Sequence, residues 1–133
     1  MQQVEDGGYV VAGTDPITWS TSDAYLWKYD STGNVVWAKT FDIDSAVEGN
    51  AVAPSAGNRV VFAGGTGPTY DSLQPYLVKT DAHGGVVSSM VCGPVGRGAC
   101  SVAETPDGCY VIAGTAHIND RSTTRIFLQK LRP

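Results

Sequence analysis

The chain has 133 residues, 42% of them hydrophobic and 17% charged, with a formal net charge of −4. That length suits one domain with a core of its own, and the acidic balance excludes the basic stripe that nucleic acid or an anionic membrane surface would require. No apolar run approaches the ~18 residues needed to cross a bilayer, and the opening MQQVEDGG has neither the positive nor the apolar region of a signal peptide.

The segments in chain order form a repeating series. A short strand at Met1 to Val4 meets the turn EDGG, and a second strand follows in YVVAGT (Tyr9 to Thr14). The long connection TDPITWSTSD (Thr14 to Asp23) leads to AYLWKYD, the tight turn DSTGN and VVWAKTF. In AYLWKYD the alternation puts Tyr25, Trp27 and Tyr29 on one face and Leu26 and Lys28 on the other. The loop DIDSAVEGN (Asp42 to Asn50) then opens a second round: GNAVAP, SAGN, VVFAGGT, TGPTYDSLQP (Thr66 to Pro75), PYLVKT, DAHGG and VVSSMV. CGPVGRGAC (Cys92 to Cys100) opens a third: ACSVAE, TPDG, YVIAGT, TAHINDRSTT (Thr115 to Thr124) and RIFLQKL.

Corresponding positions recur at 51 residues: Tyr25, Tyr76 and Phe127 are evenly spaced, and Val11 and Phe62 keep the same interval. Each segment is rich in Val, Tyr, Phe and Thr and bounded by Gly, Asp, Asn or Pro, which is the strand signature. No window carries the 3.6-residue period of an amphipathic helix. Four antiparallel strands repeated at 40 to 50 residues describe a β-propeller blade. The expectation is therefore an all-β chain of about three blades, near residues 1–44, 45–95 and 96–133, the last lacking its outermost strand. Rings usually close with ~4 to 8 blades, so two copies are expected to pair as a homodimer into one six-bladed ring with its two-fold along the propeller axis.

The phrases DGGYVVAGT, DAYLWKYD and GNVVW resemble those of kelch-like bacterial and archaeal propeller repeats of about 50 residues, across nearly the whole chain. YDSTGNVVW is also similar to the end of the pyrroloquinoline-quinone enzyme repeat, in which an Asp, a turn Gly and a Trp lock neighbouring blades; here these are Asp30, Gly33 and Trp37. The second unit departs from that pattern, with Ser88 or Ser89 in the Trp place and an additional Gly65. The resemblance implies a propeller that is bacterial or archaeal and often extracellular, but these are scaffold motifs and name no substrate.

In such blades the tight turns gather at one end and the long connections at the other, where binding residues concentrate. Trp19 and Tyr70 stand 51 apart in two long loops, placed to stack on a sugar face or to plug the space between blades. His117 lies in the third long loop, and Glu48, Asn50 and Arg97 are the candidates nearest the axis. Asp42, Asp44 and Glu48 are too sparse for a calcium loop, and Asp30 and Asp81 read as Asx-turn residues. Cys92 and Cys100 flank a glycine-rich stretch and are a possible disulfide, with free thiols as the other reading. No catalytic residue, metal set or cofactor motif is assigned. The functional expectation is a non-enzymatic binding or scaffold module for a carbohydrate or a protein partner. The alternatives are an enzyme with its active site over an assembled channel and a structural propeller fragment without activity.

Overall fold

The computed structural model describes residues 1–18, 21–43, 45–93, 95, 98–118 and 120–132, without the side chains of 117, 118 and 120–122. The strands are β1 (Gln2–Gln3), β2 (Tyr9–Pro16), β3 (Ser22–Tyr29), β4 (Val35–Phe41), β5 (Ala46–Ser55), β6 (Arg59–Gly67), β7 (Gln74–Thr80), β8 (Val86–Val91), β9 (Ala99–Glu104), β10 (Tyr110–Ile118) and β11 (Asp120–Leu131). One 3-10 turn, Tyr70–Ser72, is the helical exception among the described residues. The molecule is all-β, as its composition and alternation require.

Local chemistry sets the strand ends. After β3, Asp30 Oδ1 accepts the N–H of Thr32 and of Asn34, each at 2.9 Å, while Gly33 takes φ 92°. After β7, Asp81 Oδ1 accepts those of His83 and Gly85 at 2.8 Å, with Gly84 at φ 79°. A carboxylate anchoring the reversal and a glycine in the left-handed region are what a tight antiparallel turn requires. Hydrogen bonds hold both carboxyls below their ordinary range, Asp30 chiefly through the Asn34 side-chain amide, which donates to Asp30 Oδ2 at 3.0 Å, and Asp81 chiefly through the Gly85 N–H.

Strands β1-β2-β3-β4 pair antiparallel in sequence order, and so do β5-β6-β7-β8. These two sets are joined by one parallel bridge, Ser22 to Ala46. The joint forms because β3 and β5 begin side by side: Ser22 N–H donates to the Ser45 carbonyl at 3.2 Å and Ser22 Oγ to the Val47 carbonyl at 2.9 Å. The third sheet, β9-β10-β11, is antiparallel and separate. Among the described residues, the sheets do not close into a ring.

Packing follows the period of two. Val60, Phe62, Tyr76 and Val78 of the middle sheet face Val10, Leu26 and Phe41 of the first, with Phe41 and Phe62 ring centroids 4.7 Å apart. Val61, Ala63 and Leu77 face Ala99, Tyr110 and Ile112 of the third. Strand β6 is thus buried on both faces from Val60 to Gly67, which explains its near-continuous apolar sequence. The sheets approach closely at glycine. A Cβ at Gly49 would lie 2.6 Å from the Gly13 carbonyl oxygen, and one at Gly98 would lie 2.6 Å from the Gly64 carbonyl. Thr14 Oγ1 accepts the Gly49 N–H at 3.1 Å across the first of these contacts.

On the periphery, Trp37 of β4 packs against the first core and its Nε1 donates to the Ala82 carbonyl at 2.9 Å, so this indole ties the outer edges of the first two sheets. The remaining faces are open. The first sheet turns Tyr9, Val11, Tyr25, Trp27 and Tyr29 outward, with Trp27 38% exposed. The third turns Val111, Ala113, Ile126 and Leu128 outward, Ile126 and Leu128 at 85% and 74% exposure.

Lys28 is a buried cation, satisfied by an ion pair with Asp6 from the turn after β1. The Lys28 ammonium, and then the Gly8 N–H, hold the Asp6 carboxyl below its ordinary range. A depressed carboxyl stabilises the fold above the unfolded value near ~4, and that stabilisation is lost as pH falls through the folded value. Asp6→Asn leaves the ammonium buried opposite a neutral group. Asp6 is itself 37% exposed, so the expected loss at pH 7 is about 1–2 kcal/mol rather than the 3–5 of a fully buried pair. Urea midpoints of the two proteins should converge as pH is lowered below ~4; a gap independent of pH would remove this account.

Candidate functional site

Strands β5 and β9, the first strands of the middle and third sheets, carry matched irregularities near the long-loop end. Pairing of β5 with β6 runs from Gly49–Gly64 to Ala51–Ala63, leaving Asn50 without an opposite residue. Pairing of β9 with β10 runs from Ala99–Gly114 to Ser101–Ala113, leaving Cys100 in the same position. Such bulges bend the strand and re-aim the extra side chain. Asn50 and Cys100 are both exposed, and both line one cleft of about 380 Å³ with Glu48, Gly98 and Thr115. Inside it Asn50 Nδ2 donates to Glu48 Oε2 at 3.4 Å, and Cys100 Sγ contacts the Gly98 carbonyl at 3.7 Å. The lining offers an amide, a carboxylate, a hydroxyl and a thiol within a small volume.

Of the residues proposed from sequence, Glu48 and Asn50 are brought together here. Trp19, Arg97 and Asp44 lie outside the described residues, as does the His117 side chain. Tyr70 is half-buried at the head of its 3-10 turn, and its hydroxyl donates to the Thr21 carbonyl at 3.4 Å. This contact ties the second long loop to the first. Cys92 and Cys100 are both free thiols. Cys92 follows β8, at one edge of the middle sheet, while Cys100 lies in β9 of the third. Burial raises the Cys92 thiol above its ordinary value.

Cys100 was missed as a cleft residue, although a signal was present: Asn50-Ala51-Val52-Ala53 is matched fifty residues on by Cys100-Ser101-Val102-Ala103. Sequence reasoning also missed a wider hollow of about 750 Å³ at the tight-turn end, among Gln3, Glu5, Pro54, Ser55, Glu104 and Thr105. Its Glu5 carboxylate already accepts the Gly57 N–H at 3.1 Å, and it is lined by residues at the ends of β1, β5 and β9. Among the described residues, no three His, Cys, Asp or Glu side chains converge as a metal set. Set against protein-family models and against curated proteins, the chain matches none.

Proposed function

We propose that the three sheets are blades of a kelch-like β-propeller and that the module is a non-enzymatic binder, taking a carbohydrate at the long-loop mouth of its axis. The observation that carries this reading is the pair of equivalent bulges, which turn Asn50 and Cys100 into one cleft beside Glu48 and Thr115. A sugar needs donors and acceptors spaced over a few ångströms, and an amide, a carboxylate and a hydroxyl supply both. Two hollows at opposite ends of the same inner strands also suit an axis with two mouths. The propeller reading rests further on the consecutive antiparallel strand order and on the face-to-face stacking of three sheets.

A glycan array followed by titration calorimetry tests it. The best-bound saccharide should lose about tenfold in affinity with Asn50→Ala and at least as much with Glu48→Gln, the cost of one hydrogen bond to a polar or charged partner. Bound saccharide should also slow alkylation of Cys100. Affinity unchanged in both variants would overturn the site, and an array without any hit would turn the search to protein ligands.

A further inference from the structure

The middle sheet displays both halves of the contact by which these sheets stack. Its face toward the first sheet is Val60, Phe62, Tyr76 and Val78, and its face toward the third includes Val61, Ala63 and Leu77. Stepping back 51 residues from the former set gives Tyr9, Val11, Tyr25 and Trp27, the open face of the first sheet. Stepping forward 50 or 51 from the latter gives Val111, Ala113 and Leu128, the open face of the third. The chain therefore exposes, at its two ends, the complementary halves of an interface that it builds twice internally. An end paired with its own copy would have no counterpart among these contacts.

We infer that the occupant of each open face is a second copy of this chain, docked head to tail, with the Trp27 face of one copy on the Leu128 face of the other at both joints. Exposed apolar area of this extent, organised on strands, marks an interaction surface. Two such heterologous joints satisfy all four open faces if the pair closes. The docking also completes the cleft. Thr115 holds in the third sheet the position that Thr14 holds in the first, and Thr14 lies at the joint, accepting a backbone N–H from the neighbouring sheet. A sheet seated on the third sheet's open face stands beside Thr115 and walls the cleft from that side. The inference rests on the stacked-blade reading and not on any ligand.

Sedimentation equilibrium with circular dichroism on the 133-residue chain tests it. The expected mass is that of two chains. Trp27→Asp and Leu128→Asp should each keep the strand signal and weaken association at least tenfold. Mixing the two variants should restore a heterodimer through the one joint where both faces are intact. Ile126→Asp, at the most exposed of these positions, repeats the test of the third-sheet face should Leu128→Asp fold poorly. A wild-type mass of one chain, open-ended polymers, or a Leu128→Asp protein that still dimerises while Trp27→Asp does not would overturn head-to-tail closure. A single-chain mass accompanied by the Asn50→Ala effect on saccharide would sink the pairing and leave the cleft standing.

Discussion

Phe62→Ala is expected to lower the unfolding free energy by about 3–5 kcal/mol, the range for truncating a buried aromatic. The ring is fully buried. It lies 4.7 Å from the Phe41 ring of the first sheet and 6.2 Å from Tyr76 on its own sheet. Its removal opens a void between two backbones held by strand pairing, which leaves few ways to collapse around it. Urea unfolding followed by tryptophan fluorescence measures the change as a drop in midpoint at similar slope. Val36→Ala, at 55% exposure on β4, is the comparison and should stay within about 0.5 kcal/mol. A Phe62→Ala cost near that of Val36→Ala would mean that the first and middle sheets are not packed as described.

Gly98→Ala is expected to cost about 3 kcal/mol, at the upper end of overpacking effects. The added methyl would meet the Gly64 carbonyl carbon and oxygen and the Gly65 Cα, all at 2.6 Å. These are backbone atoms of a fully buried strand and cannot rotate aside. Gly57→Ala separates this steric origin from conformational strain. Gly57 sits at φ 73° with no atom within 4 Å of its missing Cβ, so only the left-handed penalty of about 1 kcal/mol applies. Equal midpoints for the two variants would refute the close approach of the middle and third sheets. Gly98 also lines the cleft, so the substitution should weaken saccharide binding beyond its effect on stability.

The parts of this fold that were legible in the sequence are those set by neighbours in sequence. Alternation in AYLWKYD gave the faces correctly: Ala24, Leu26 and Lys28 are buried, and Trp27 is exposed. Asp30 and Asp81 anchor turns because the groups they accept from lie two and four residues ahead. What was not legible depends on partners far along the chain. A lysine buried at position 28 is explained only by Asp6, and the bridge from Ser22 to Ala46 only by the return of the chain alongside β3. The Tyr70 hydroxyl meets the Thr21 carbonyl of the preceding long loop, a contact no local pattern announces. The bulges are harder still, because an extra residue in one strand has meaning only once the facing strand's register is known. Two of the five cleft residues, Glu48 and Asn50, were therefore named in advance as ligand candidates, and Gly98, Cys100 and Thr115 were not.

The series Lys28, Lys79 and Lys130, spaced by 51, shows how one position can acquire a different task. Lys28 pairs with Asp6 and Lys130 with Asp107 at 2.6 Å, each contact staying within its own sheet. In the middle unit the corresponding acidic position is Gly57, and Lys79 instead lies 5.3 Å above the ring of Tyr110, in the sheet beyond. With glycine rather than a carboxylate at that position, the cation serves as a link between units instead of a local anchor. A repeat protein communicates only between adjacent members, so such a change adds to the coupling at one joint alone. The joint so reinforced, between the middle and third sheets, is also the one that holds the cleft.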